Sequence, residues 1–475
     1  MGRNKRRKKH PIYEEVSIID AGSEGKSIAK VDDLVIFVNG AVPGDIVDLQ
    51  VTAVKRRFVE ARPVKFHQYS DKRVKPICDH FGVCGGCKWQ FLNYQDQLGY
   101  KTKQVADNFK HLGKFEFPAI QPILASENTA YYRNKLEFTF SNKAWVTKEQ
   151  MEAGVEGDNA LGFHVPGRFD KIVDVDHCHL QKDPSNAIRN FIRAYALENG
   201  LSFFDLREQV GFLRTMVIRT TENGELMLIV AFFYEDIELR EGLLNAIHNQ
   251  FPEITSLMYV INEKKNDSIA DQDILLFNGN DHIVETMPRF KGDGELKFKI
   301  GPKSFYQTNS KQAYELYRLT AEMADLQSTD KVYDLYTGTG TIANFVAPYV
   351  EKVVGVEYVE DAIKDAFINS GENGIDNTDF YAGDMKDVLN DDFIAKHGKP
   401  DLIITDPPRA GMHMDVVNKI LDIEAPKVVY VSCNPATQVR DLNELTSKYE
   451  IVNIQPVDMF PHTHHVENIV SLRLR

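Results

Sequence analysis

The stretch KVYDLYTGTGTIANF (331–345) constrains this chain more than any other. An apolar run ends in a glycine-rich turn, and a helical pattern follows. Gly338 and Gly340 leave out the Cβ atoms that would hold a ligand away from the backbone. Strand-like runs then recur: KVVGVEYVEDAIKDAF (352–367), DFYAGD (379–384), PDLIITDPPRAG (400–411) and KVVYVSCNPAT (427–437). Strands alternating with helices predict a parallel, doubly wound α/β domain. In such sheets ligands sit beyond the carboxyl ends of the strands. Tyr336, Glu357, Asp384 and Asp406 all fall there.

A glycine-rich turn by itself would equally suit a dinucleotide. Here the spacing is D-x-x-x-G-x-G rather than G-x-G-x-x-G. Glu357 ends the next strand, where a carboxylate meets ribose hydroxyls, and Asp384 is placed for an adenine. These details predict S-adenosylmethionine as the cofactor. Any one of these acids is more simply a helix cap or a solvated turn. Four such turns in register after four strands, three of them bearing an acid, carry the reading.

The group to be methylated follows from the last two turns. An aromatic after D-P-P would suit methylation of an amino nitrogen on a base, but Arg409 stands there. The next strand ends in Cys433, which points to methylation at carbon. Carbon-5 of a uracil does not attack a sulfonium methyl unaided. A thiolate added to carbon-6 makes it nucleophilic. A base must then remove the carbon-5 proton. DMFPHTHHVE (458–467) offers His462, His464, His465 and Glu467 for that step. The HTHH run could also bind a metal or be a polar loop.

The front of the chain differs. Net charge is −13, yet residues 1–80 hold 16 Lys and Arg against 11 Asp and Glu, which is +5 and leaves −18 for the rest. The basic clusters are RNKRRKK (3–9), KRR (55–57) and KRVK (72–75). Such a front end suits RNA, or is simply a solvated surface. Residues 11–66 alternate short apolar stretches with Gly, Asp and Pro turns, predicting a small β-barrel. Residues 92–113 predict an amphipathic helix closed by Gly113. Between about 127 and 290, four strand-like runs and a helix over 185–199 predict a mixed α+β region. No apolar run is long enough to span a bilayer, and the basic N-terminus lacks a signal-type apolar stretch, so the cytoplasm is the expected location.

Four of the five cysteines lie early: Cys78, Cys84, Cys87 and Cys178. Zinc more typically takes two C-x2-4-C pairs. The x5/x2 spacing with one distant cysteine is closer to iron–sulfur ligation. His177 and His179 flank Cys178 and read as neighbours of the site or surface groups.

Together, SCNPAT, DPPRAG, SFYQTN (304–309), DMFPHTHHVE and C-x5-C-G-G-C resemble the RNA uracil-5-methyltransferases, specifically the branch acting on 23S ribosomal RNA. The resemblance covers nearly the whole chain. It implies a class I, Rossmann-like S-adenosylmethionine-dependent domain, an RNA-binding TRAM barrel and a central iron–sulfur domain. It implies Cys433 as nucleophile and Glu467 as proton acceptor. It implies Gln307, Tyr336, Gly338, Gly340, Glu357, Asp384 and Asp406 around the cofactor. It implies a [4Fe–4S] cluster on Cys78, Cys84, Cys87 and Cys178, and Phe305 near the target base. Two departures are Tyr306 within SFYQTN and the TGTG loop, where many relatives carry C-G-x-G. The implied domains are 1–67; 68–91 with 127–289; and 92–126 with 290–475. The expected partner is 23S ribosomal RNA, with no membrane or DNA. Alternatives are the same chemistry on the transfer RNA T-loop uridine, or a non-catalytic RNA-binding assembly factor.

Overall fold

The computed structural model describes residues 10–475. The basic run at 3–9 lies outside the described residues. Strands Ile12–Ala21, Ser27–Val31, Leu34–Val38, Ile46–Val54 and Phe58–Gln68 close into a barrel. Their alternation turns Val16, Ile18, Ile36, Val38, Val47 and Leu49 inward. The buried carboxylate of Asp45 takes a two-pronged bond from Arg73, at 2.8 and 2.6 Å, which fastens the barrel to the segment that follows it.

The central region forms a seven-stranded sheet. Its order is Leu275–Gly279, Ser256–Ile261, Leu226–Phe232, Leu213–Thr220, Lys135–Ser141, Ala160–Val165 and Arg168–Asp174. The helix read over 185–199 is Ser185–Glu198. A separate hairpin, Ile283–Pro288 with Glu295–Ile300, shares a core with helix Ser310–Ala324. The expected boundary at 289 falls inside this hairpin.

The second seven-stranded sheet is the doubly wound one. Its order is Thr378–Ala382, Lys352–Glu357, Lys331–Leu335, Leu402–Thr405, Lys427–Ser432, Glu467–Leu474 and Tyr449–Val457. The first five run parallel; Glu467–Leu474 runs against them, and Tyr449–Val457, antiparallel to it, returns to their direction. Strands covered on both faces read as unbroken apolar runs, as the fully buried Leu402–Thr405 does. One face packs helices Ser310–Ala324, Thr341–Val346 and Glu360–Glu372. The other packs Met414–Ile423, Pro435–Leu445 and, from far earlier in the chain, Tyr94–Leu112. That early helix starts at Asn93, whose side chain accepts from the Asp96 N–H at 2.9 Å, and stops at Gly113. Among the described residues no helix is long and apolar enough to cross a membrane.

Candidate active site

The sheet presents Cys433 one residue past Lys427–Ser432. Asn434 then caps helix Pro435–Leu445 by accepting the Ala436 N–H at 3.2 Å, and Pro435 takes the first helical position, where no N–H is needed. The turn also grips its neighbour. The Asn434 amide and the Thr437 hydroxyl donate to the Arg409 carbonyl at 3.0 and 3.2 Å. The DPPR turn and the thiol are thereby held as one unit.

Acidic groups surround that thiol. Burial pushes Cys433 up to about 11, and the charges of Glu467 and Asp406 push the same way, while Arg409 opposes them. Glu467 opens the last antiparallel strand and is 5% exposed. Burial, then Asp406, raises its carboxyl to about 8, again against Arg409. Burial, then Asp334, raises Asp406 to about 7. Asp334 is itself raised to about 7 by burial, although the Thr337 hydroxyl donates to it at 2.5 Å. His462, His464 and His465 are pushed down to about 4, 4 and 3, chiefly by burial, so they stay neutral at physiological pH.

A groove beside this cluster holds about 890 Å3 of space, its open mouth included. Tyr336 and Asp384 line it, with Tyr358, Met412, His413 and Arg440. The turn after Lys331–Leu335 needs left-handed backbone at Tyr336, Gly338 and Gly340 (φ +64°, +55° and +75°). At Gly340 a Cβ would stand 2.9 to 3.1 Å from Ala366, Asn344 and Phe380, so only glycine fits. The Gly338 N–H donates to Glu357 Oε2 at 3.2 Å, and Val359 N–H to Oε1 at 3.0 Å. Asp384 both lines the groove and caps the short helix Met385–Val388, accepting the Lys386 N–H at 3.2 Å. The simple reading of a cap and the reading of a ligand-facing acid thus apply to the same residue. Gln307 does not line the groove. It lies in the SFYQTN segment, where its carbonyl accepts from the Asn134 amide at 2.9 Å. Phe305 in that segment is 68% exposed, and its carbonyl accepts from the Thr339 hydroxyl of the TGTG loop at 3.5 Å.

Sequence reasoning missed Tyr358, His413 and Arg440. Tyr358 directly follows Glu357 at a strand end, so the strand-end rule already pointed to it. His413 and Arg440 are brought in by tertiary packing, and no local pattern announces them.

A second cavity is lined by Cys78, Cys84, Cys87 and Cys178, with His80, His177 and His179 at its edge. All four thiols are free and shifted upward by burial, Cys84 to about 12 and Cys87 to about 11. Among the described residues, no three or more His, Cys, Asp or Glu side chains are grouped so as to hold a metal ion.

A family profile described as tRNA (Uracil-5-)-methyltransferase matches residues 270–475, and a TRAM domain profile matches 12–64. A Bacteroides thetaiotaomicron protein, described as an uncharacterized RNA methyltransferase, is 57% identical across 95% of this chain and 100% of its own length. The chain belongs to the RNA uracil-5-methyltransferase family. A second relative so described, from Porphyromonas gingivalis, is 54% identical across 96% of this chain and 99% of its own length. Among solved structures, the Pyrococcus abyssi tRNA (uracil-54, C5)-methyltransferase in complex with S-adenosyl-L-homocysteine superposes with a TM-score of 0.73. It is 28% identical, covering 96% of this chain and 100% of that one. The α/β domain is therefore the family's S-adenosylmethionine-dependent methyltransferase fold, and the barrel is its TRAM domain. The expectations of an α/β methyltransferase domain with a TRAM barrel, of S-adenosylmethionine and of an RNA substrate hold, whereas neither the similarities nor the side-chain grouping bears out the iron–sulfur domain and its cluster.

Proposed function

We infer that the protein methylates carbon-5 of a uridine in 23S ribosomal RNA, with Cys433 as nucleophile and Glu467 as proton acceptor. One observation carries this reading: at the sheet's end, beside the groove, a half-buried thiol feels the charge of a buried carboxyl that is itself pushed to about 8. Cys433, as thiolate, adds through Sγ to carbon-6, and the displaced π electrons make carbon-5 nucleophilic as an enolate. When bound, S-adenosylmethionine supplies the electrophilic sulfonium methyl that carbon-5 takes. Glu467 then removes the carbon-5 proton. Those electrons re-form the C5–C6 double bond, and the Sγ–C6 bond breaks to return the thiolate. A carboxylate whose conjugate acid sits near 8 is a stronger base than an ordinary glutamate once ionised. Of the charges acting on the thiol, that of Arg409 favours the thiolate.

Around the cofactor we place Tyr336, Gly338, Gly340, Glu357, Asp384 and Asp406, and also Gln307 of SFYQTN, although it stands outside the lining of the groove. The turn geometry supports this, since Gly338, Gly340 and Glu357 already form one unit at the strand ends. For Cys78, Cys84, Cys87 and Cys178 the reading is a [4Fe–4S] cluster. Their lining of one shared cavity supports it. Protein purified without oxygen is expected to carry iron and sulfide, and Cys87→Ser to lose both. A cluster-free wild-type protein would end the assignment.

The Pyrococcus structure favours a second reading, the same chemistry on transfer RNA. Both place the protein's work in the cytoplasm. Mass mapping of 5-methyluridine in ribosomal and transfer RNA from cells lacking the protein separates them. Loss from 23S RNA alone supports the first reading, and loss from transfer RNA alone supports the second. Unchanged 5-methyluridine in both would sink the assignment.

A further inference from the structure

The loop at 458–466 joins the last two strands and leads into Glu467, yet its strongest bonds run outside the catalytic sheet. His462 holds φ +64°, a backbone region that non-glycine residues keep only under firm restraint. The restraint is visible. Its carbonyl accepts from the N–H groups of Lys88 at 2.8 Å and Trp89 at 3.0 Å, the two residues after Cys87. Its own N–H donates to Gln97 Oε1 at 2.8 Å. Gln97 Nε2 lies 3.2 Å from His462 Nδ1 and donates to the carbonyls of Leu92 at 2.8 Å and Trp89 at 3.1 Å. Gln97 is 0% exposed, so one buried amide knits the end of the cysteine segment to the loop.

Beyond His462, a tight turn carries the restraint onward. The Thr463 hydroxyl donates to the Phe460 carbonyl at 2.8 Å and accepts the His465 N–H at 3.2 Å. The Cys433 turn is held by other bonds, to Arg409. The strands that carry Cys433 and Glu467 also pair directly, at Ser432 and Asn468, so the Gln97 anchor is an addition to that shared frame and acts from the loop side of Glu467.

We propose that Gln97 is a positioning residue for proton abstraction: it locks the 458–466 loop to the segment after Cys87 and so sets where the Glu467 carboxylate stands. This rests on the assignment of Glu467 as the base. Gln97→Met keeps the side chain's length and burial and removes the hydrogen bonds of the Gln97 amide, while those of Lys88 and Trp89 to the His462 carbonyl stay. Two reactions of the full chain read its effect. Covalent trapping on 5-fluorouridine RNA needs Cys433 and methyl transfer but no proton abstraction, because fluorine replaces the proton. Turnover on uridine RNA needs all three steps.

The expected result is trapping within about twofold of wild type, kcat lower by about tenfold or more at unchanged KM, and a methylated RNA adduct that accumulates. Gln97→Glu keeps the acceptor for the His462 N–H and is expected to recover part of kcat. Parallel losses in both reactions, or unchanged turnover, overturn the proposal. Should Gln97→Met fail to fold, the ratio of turnover to trapping in Gln97→Glu and Gln97→His decides in the same way. Glu467→Gln is run alongside. Normal turnover there brings down the base assignment itself and this proposal with it. A stall in Glu467→Gln without one in Gln97→Met brings down only the role of Gln97.

Discussion

Replacing Glu467 with Gln should stabilise the protein, and increasingly so as pH rises. The carboxyl stands at about 8 in the folded protein against an ordinary 4.5. Below pH 4.5, folded and unfolded chains both hold its proton, and the group costs nothing. Between 4.5 and 8 the unfolded chain releases the proton while the folded chain keeps it. Stability therefore falls as pH rises, by about 1.4 kcal/mol per unit, until the folded carboxyl also ionises near 8. The full interval corresponds to about 5 kcal/mol. Because Asp406 titrates beside it, about 2–5 kcal/mol is the expected gain on removing the charge. For a unit of this size that is a rise in Tm of about 5–15 °C. Gln brings its own packing change, but a neutral amide has no pH dependence. The slope is therefore the diagnostic. Thermal unfolding of wild type and Glu467→Gln, followed by calorimetry across this interval, should show a Tm gap that is small at its acid end and widest near 8. A gap that stays constant with pH would mean that burial does not hold the carboxyl neutral. The same variant should have lost turnover, so the group that costs stability would be the one that serves the chemistry.

Three further outcomes are expected. Cys433→Ala should abolish covalent trapping on 5-fluorouridine RNA while leaving the melting curve near wild type; undiminished trapping would remove the thiol from the reaction. Gly340→Ala forces a Cβ into contacts of 2.9 to 3.1 Å at φ +75°, so S-adenosylmethionine affinity measured by calorimetry should fall about tenfold or more. Lys101→Met takes away the counter-charge of Asp458 where a 2.6 Å ion pair stood with both side chains 0% exposed, so denaturant unfolding should show a loss of about 3–5 kcal/mol.

The catalytic sheet was legible because its signals are local. A buried parallel strand, a polar turn and a helix follow one another within some fifteen residues. The residue at the strand's carboxyl end is then marked by position alone, as with Tyr336, Glu357, Asp384, Asp406 and Cys433. Pattern could not say which sequence-distant elements meet. His413 and Arg440 enter the groove from turns and helices whose own sequences do not announce it. The hairpin across residue 289 joins the core of helix Ser310–Ala324, although nothing in its strands differs from those before it.

Helix Tyr94–Leu112 shows what such a signal looks like when it is present and easily passed over. Gln97, Lys101, Val105 and Phe109 are all buried and stand four apart, on one stripe of the helix. Two of the four are polar, on a stripe whose other members are apolar. A buried lysine requires a counter-charge and a buried glutamine requires bonding partners. The stripe therefore demands a polar partner segment somewhere else in the chain. DMFPHTHH is such a segment. Asp458 meets Lys101 and accepts from the Tyr94 hydroxyl at 2.8 Å, the Phe460 carbonyl takes Lys101 at 3.0 Å, and His462 meets Gln97. A helix from the early part of the chain thus lies against the far face of the catalytic sheet because it supplies what the loop before Glu467 lacks, a set of buried donors and acceptors. The polar interruptions of an apolar stripe carry the information about where that loop is anchored, and periodicity, which treats them as noise, discards it.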